Sequence, residues 1–264
     1  HYSRIYKQIK YCLRQPGFSW IDFFRLCQRN RYWLWHPQRW LKTVGITGTN
    51  GKTTVAHFLS QILRISGHTL GQPGTHNHYI GDLCLPSELT TPNSVTIHHL
   101  LSSMISENAS HLVMEASSHG LVQDRLRDLT FAVAIFTNLS QDHLDYHKDM
   151  ETYFHAKLSI LDMLRLDTNI IVNIDDEYGK IFLAKAKDKG FKTETIGFSD
   201  KADVKLRVTR GTPNIQFIEI IRGKLIYVFQ THLIGAVQAI NIGMALLTCE
   251  KFGFDFEDLV NSCN

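Results

Sequence analysis

The 264-residue chain carries 44% hydrophobic and 20% charged positions, enough to bury the core of one large domain or two small ones. It has no run of roughly eighteen apolar residues and no apolar block before a small-residue cleavage site, which argues against a membrane span and a signal peptide and predicts a cytoplasmic protein. Its five cysteines (Cys12, Cys27, Cys84, Cys249, Cys263) are scattered and form no C-x-x-C pair, so neither a disulfide framework nor a zinc site is indicated.

The net charge of +3 is unevenly spread. Through Lys42 there are nine Lys/Arg against Asp22 alone, a net +8 that leaves the remainder at −5. All four tryptophans (Trp20, Trp33, Trp35, Trp40) fall in the same stretch. Residues 1–40 therefore read as a basic, Trp-rich segment. Such a segment could contact nucleic acid or an anionic membrane surface, or could be a helical leader packing its aromatics on the main domain, the plainer reading.

From residue 41 short apolar runs alternate with amphipathic stretches. This pattern predicts one α/β domain over 41–264, a mostly parallel P-loop sheet flanked by helices. A strand over 43–47 leads into a helix over 52–65, and a second helix is expected over 94–106. Strands follow at 111–115 and 132–137, a helix at 151–164, a strand at 169–173 and a helix at 177–189. Beyond Gly197 the stretches 204–208, 215–221 and 225–231 are β-rich, with Arg222-Gly223-Lys224 as a hairpin turn, and predict a small antiparallel β addition at the sheet edge. Helices over 237–252 and 256–260 close the chain.

The run Gly45-Ile46-Thr47-Gly48-Thr49-Asn50-Gly51-Lys52-Thr53-Thr54 joins the first strand to the first helix. Glycines let backbone bend closely around an anion, and the helix N-terminus offers unpaired N–H groups. Lys52 would neutralise terminal phosphates and the Thr53 hydroxyl would hold Mg²⁺, which favours oxygen ligands. The usual P-loop spacing fails at Ile46; the form here is G-x-x-G-x-x-G-K-T.

That variant loop resembles the loop of the Mur ligase and folylpolyglutamate synthetase superfamily. Two further runs are similar to the Mur ligases that add the third residue of the peptidoglycan stem peptide. One is Met-Glu-Ala-Ser-Ser-His-Gly-Leu-Val-Gln-Asp-Arg from Met114 to Arg125. The other is Phe-Thr-Asn-Leu-Ser-Gln-Asp-His-Leu-Asp-Tyr-His from Phe136 to His147, continuing to Ala156-Lys157. The resemblance extends from about Arg31 to the C-terminus and is to the central, ATP-binding domain.

What the resemblance implies is specific. Gly48, Thr49, Asn50, Gly51, Lys52, Thr53 and Thr54 would bind ATP, with Asn241 contacting adenine; Gln238 stands where the family has asparagine. Thr53 and Glu115 would hold one Mg²⁺. His143, unlike His57, His68, His76 or His78, would help hold a second together with Lys157, which the family carbamylates with CO₂. Read without the family, Lys157 is a lysine on an amphipathic helix. Thr90, Thr91, Ser117, Gln123 and Arg125 would bind the UDP-muramoyl dipeptide, although Thr90 and Thr91 also suit a turn before Pro92.

The implied catalytic set is Lys52, Glu115, His143 and Lys157. The implied reaction moves the γ-phosphoryl of ATP to a carboxylate and lets an amine displace it, and needs no side-chain nucleophile, so Ser117 and Ser118 read as binding groups. Diaminopimelate is the expected amino acid, because the motifs are worded like Gram-negative versions, and the protein is expected to act as a monomer without nucleic acid. The family's uridine-binding N-terminal domain and amino-acid-selecting C-terminal domain are not recognisable, so the chain reads as a fragment or short form. Alternatives are a folylpolyglutamate synthetase-like ligase and a nucleotide-binding module without ligation.

Overall fold

The computed structural model describes residues 41–263; the basic segment over 1–40 lies outside the described residues. The first strand, β1 (Lys42–Thr47), is flanked on both sides by parallel partners, β5 (His111–Glu115) and β6 (Phe131–Phe136). Outward from β6 lie β7 (Leu164–Asn173) and β8 (Lys192–Gly197), also parallel. On the other side β2 (Leu70–Pro73) joins β5 in parallel.

Each edge of the sheet is completed by antiparallel strands. At one edge β9 (Val204–Thr212), β10 (Ile215–Arg222) and β11 (Leu225–Thr231) form a meander, and β9 joins the main sheet beside β8. At the other, β2 pairs with β3 (Asn77–Ile80), which pairs with β4 (Leu83–Pro86). The order is β11-β10-β9-β8-β7-β6-β1-β5-β2-β3-β4. The predicted antiparallel addition is therefore present, and its turn is the two-residue Gly223-Lys224 connection, where Arg222 pairs Leu225 and Gly223 takes φ +59°.

The central strands are buried on both faces, as parallel strands covered by helices must be. Their two-residue period divides them between two cores. Val44, Ile46, Val113, Val133, Ile135 and Ile171 point to one layer, with α1 (Lys52–Ile65), α7 (Ala236–Lys251) and α8 (Phe256–Asn261). Leu112, Met114, Ala134, Phe136, Ile170 and Val172 point to the other. There they meet α2 (Ser94–Ser106), α5 (Met150–Leu158) and α6 (Glu177–Asp188). Two shorter helices, α3 (Ser118–Val122) and α4 (Leu144–His147), lie in the loops after β5 and β6. Among the described residues no helix is long and apolar enough to cross a membrane.

The structure departs from expectation in several places. The helix expected over 151–164 ends at Leu158 and becomes a 3₁₀ turn, Ser159–Met163, while the strand expected at 169–173 starts at Leu164. Pairing explains the change: Leu164 stands opposite Phe131, and Thr168 Oγ1 donates to the Phe131 carbonyl at 2.8 Å. Strands β2, β3, β4 and β8 and the short helices α3 and α4 were not expected. β2, β3 and β4 have four residues each, too few for a period to show. The Lys-Thr-Glu-Thr opening of β8 reads as polar.

Charge also ties layers together. Arg222 on β10 bridges Glu194 of β8 (2.7 Å) and Glu250 of α7 (2.5 Å), and Lys251 closes the cluster on Glu194 at 2.6 Å. Within the second core, fully buried Phe182 stacks on Phe136 with centroids 4.5 Å apart. Phe182→Ala should lower unfolding free energy by about 3–5 kcal/mol through the cavity it leaves, seen as a lower urea midpoint.

Candidate active site

Parallel pairing brings the C-terminal ends of β1, β5 and β6 to one edge, where open α/β sheets place their ligands. The β1–α1 loop turns there. Gly48 has φ +143°, and a Cβ on it would lie 1.9 Å from Thr137 Oγ1. Gly51 has φ +89°, with Asn241 Oδ1 2.7 Å from where its Cβ would be. Both positions combine a left-handed backbone with a wall that leaves no room for a side chain. Gly51 is also the N-cap of α1 and supplies no side-chain cap, so the first helical N–H groups face the loop unsatisfied, as anion binding requires.

The loop is held from β6. Thr49 N donates to the Asn138 carbonyl at 2.9 Å, and Asn50 N to Asn138 Oδ1 at 3.0 Å. Asn138 Nδ2 and Thr137 Oγ1 both donate to the Asn50 carbonyl. Lys52 Nζ folds back onto the carbonyls of Gly48 (2.9 Å) and Thr49 (2.7 Å), and burial lowers its pKa. Thr54 is partly buried in the first turn of α1.

Glu115, the last residue of β5, is fully buried. Its Oε2 accepts from Thr53 Oγ1 at 2.7 Å and from Thr75 Oγ1 at 3.3 Å, whereas Oε1 has no hydrogen-bond partner. A buried carboxylate oxygen left unpaired beside two hydroxyls fits a hard cation such as Mg²⁺. Among the described residues no group of three or more His, Cys, Asp or Glu gathers that could hold a metal, so any cation here needs hydroxyl and ligand oxygens as well.

Lys157 is 1% exposed and donates to the Gly48 carbonyl at 2.7 Å, with its ammonium 4.4 Å from the Tyr153 ring centroid. Burial, with a smaller contribution from nearby Lys52, lowers its pKa to about 6. Tyr153 OH in turn meets Thr49 Oγ1 at 3.2 Å. His143, in the left-handed region at φ +51°, packs edge-on to the same Tyr153 ring at 6.1 Å. Lys157 and His143 thus flank one tyrosine beside the loop.

The residues expected to hold an acidic ligand also come together. Thr91, fully buried, donates its one hydroxyl proton to the Glu115 carbonyl (2.7 Å), and its Oγ1 accepts from Ser117 N (2.9 Å) and lies 2.9 Å from the Ser117 hydroxyl. Thr90 reaches Thr75 at 3.3 Å. Arg125 Nη1 donates to the Thr91 carbonyl at 2.7 Å, while Nε (3.0 Å) and Nη2 (2.5 Å) donate to Gln123 Oε1. Three of the five guanidinium N–H groups are so engaged, leaving one on each Nη for a ligand. Ser117 also caps α3 by accepting from Gly120 N at 3.1 Å, a structural duty alongside the expected one.

Asn241 on α7 is buried against Gly51, and Gln238 one turn earlier has a buried Oε1 with no partner. Sequence reasoning missed Thr75, Thr137, Asn138 and Tyr153. Thr137 and Asn138 lie inside the second motif and were available to it; Thr75 and Tyr153 carry no local signal and are identified only by contact.

Residues 46–249 match the family model described as the Mur ligase middle domain. The chain is 38% identical over 234 residues to UDP-N-acetylmuramoyl-L-alanyl-D-glutamate--2,6-diaminopimelate ligase 1 of Clostridium acetobutylicum, covering 87% of this chain and 46% of that protein. It therefore spans less than half the length of that relative. A solved structure of a UDP-N-acetylmuramoyl-L-alanyl-D-glutamate--2,6-diaminopimelate ligase superposes with a TM-score of 0.78 and 25% identity, over 90% of this chain and 48% of that one. The fold is shared with Mycobacterium tuberculosis folylpolyglutamate synthase complexed with ADP and AMPPCP, at a TM-score of 0.69 and 19% identity, over 86% of this chain and 58% of that one.

The depressed pKa of Lys157 has a stability consequence. Between about pH 6 and its ordinary 10.5 the unfolded chain binds a proton that the folded chain lacks, so this lysine makes stability rise with pH across that window and contributes no slope outside it. In CO₂-free buffer, Lys157→Met should flatten the rise of the urea midpoint between pH 6 and 10.

Proposed function

The chain belongs to the Mur ligase family through its middle domain, and on that premise we propose that it is the nucleotide-binding core of an ATP-dependent amide ligase. Its substrate would be UDP-N-acetylmuramoyl-L-alanyl-D-glutamate, extended by 2,6-diaminopimelate in peptidoglycan synthesis. The observation that carries this reading is the phosphate loop closed by the Thr53–Glu115 contact, set beside the Arg125–Gln123–Thr91 group. The proposal makes the protein a cytoplasmic monomer.

In this reading Lys52 and the open N-terminus of α1 hold the terminal phosphates of ATP, and Asn241 lies toward the adenine. Arg125, Gln123, Ser117, Thr90 and Thr91 orient the acidic dipeptide. Thr53 and Glu115 would hold one Mg²⁺, with His143 and carbamylated Lys157 at a second; bound Mg²⁺ supplies neutralisation of phosphate charge. Lys157 suits carbamylation because its amine is largely neutral above pH 6, and CO₂ reacts with neutral amines.

The reaction class is carboxylate activation. A carboxylate oxygen takes the γ-phosphoryl group and ADP departs; the amine nitrogen then bonds to the acyl carbon, loses a proton, and inorganic phosphate leaves. No side-chain nucleophile is required, and the contribution of the chain is positioning and charge. The shared fold of folylpolyglutamate synthase keeps a folate-directed ligase as the alternative, and the Ser117-to-Arg125 group favours the muramoyl dipeptide.

Calorimetric titration with a non-hydrolysable ATP analogue and Mg²⁺ tests the reading. Wild type should bind and Lys52→Ala should lose at least about tenfold in affinity, since a charge-assisted phosphate contact is worth roughly 1.5–3 kcal/mol. Titration of the muramoyl dipeptide against a folate then separates the two ligases; binding of the folate alone would refute the proposal. In bicarbonate, native mass spectrometry should show one CO₂ adduct that Lys157→Arg lacks.

A further inference from the structure

The loop after β6 forms a single helical turn, α4, bounded by two residues with positive φ, His143 (+51°) and Lys148 (+62°). This turn turns Tyr146 and His147 back toward the loop after β5. His147, 2% exposed, meets Ser118 Oγ at 2.9 Å and fastens the two loops together. Tyr146 is different: its side chain is 40% exposed and stands at the surface where the two groups of site residues adjoin.

Its hydroxyl accepts from Gln123 Nε2 at 3.2 Å. Because Gln123 Oε1 already receives two guanidinium N–H groups of Arg125, that bond fixes which end of the amide faces the arginine. With no acceptor at Nε2 the amide could rotate, and an N–H turned toward the guanidinium would repel it. The Tyr146 ring lies 4.1 Å from the His119 ring, tilted by 37°, and His119 meets His143 edge-on at 5.1 Å. One side chain thus braces the Arg125–Gln123 pair with its oxygen and the His119–His143 pair with its ring.

We propose that Tyr146 is a positioning residue that presets Gln123 and Arg125 for an acidic ligand. The inference rests on the ligase reading, since it takes the acidic ligand to be the muramoyl dipeptide. The phenol keeps its own proton while accepting from Gln123, so it can also donate toward a ligand carboxylate.

Two titrations of the full chain test it, one with UDP-N-acetylmuramoyl-L-alanyl-D-glutamate and one with the non-hydrolysable ATP analogue. Tyr146→Phe keeps the ring and should weaken the dipeptide about fivefold, the effect of one hydrogen bond, with nucleotide affinity and Tm as in wild type. Tyr146→Ala, which also removes support from His119, should weaken the dipeptide more than about tenfold. Unchanged dipeptide affinity in Tyr146→Phe overturns the inference and leaves the ligase reading intact. Equal weakening of both ligands, or a fall in Tm, also overturns it, because the role would then be structural. Wild type that binds nucleotide and not the dipeptide overturns the ligase reading and this inference with it, so the wild-type arm tells the two failures apart.

Discussion

Parallel pairing of β1 between β5 and β6 is the constraint from which the site follows. Three strands running the same way must end at the same edge, and each ends in a different chemical group: β1 in the glycine loop, β5 in Glu115, β6 in Thr137 and Asn138. Burial on both faces makes that arrangement rigid, because the two-residue period commits alternate side chains to separate cores. A loop pinned by four hydrogen bonds from Thr137 and Asn138 is thereby referred to the frame of the sheet. Its geometry is set before any ligand arrives.

Electrostatics at this edge are unusual for how tightly like groups are gathered. Lys52 and Lys157 both donate to the Gly48 carbonyl; Lys157 is buried and Lys52 partly so. Two ammonium groups sharing one acceptor in a desolvated site disfavour full protonation, and it is Lys157, beneath the loop and against Tyr153, whose pKa falls furthest. Glu115 supplies the opposing sign from the β5 side, with one oxygen occupied by hydroxyls and one open. In the partly buried Arg222 cluster, by contrast, each charge meets an opposite one: Arg222 bridges Glu194 and Glu250, and Lys251 reaches Glu194.

Much of this was legible in the sequence, and the failures have physical reasons. The short apolar runs of β1, β5 and β6 announce core strands, and Gly51-Lys52-Thr53 announces the loop, because both are local patterns. The β2–β3–β4 edge was not legible: four-residue strands that hold glycine, proline and polar side chains are stabilised by neighbours rather than by propensity. The helix over 151–164 was read too long because Leu158 to Leu164 keeps an apolar spacing that a 3₁₀ turn and a strand start also satisfy. Candidate site residues inside long motifs, such as Arg125 and Lys157, stand out in the sequence. Tyr153 and Thr75 do not, since each acts through contacts between segments far apart in the chain.

The half-engaged guanidinium of Arg125 bears on selectivity. Three of its N–H groups are held by Thr91 and Gln123, so the side chain cannot turn to suit whatever arrives. What remains is a pair of donors fixed in direction, which a flat anion can fill and an uncharged isostere such as an ester or amide fills poorly. Discrimination of that kind comes from the cost of leaving the donors unmatched in the wrong complex rather than from extra attraction in the right one. The same restraint that lowers the versatility of the arginine is what would let it tell a free acid from its neutral derivatives.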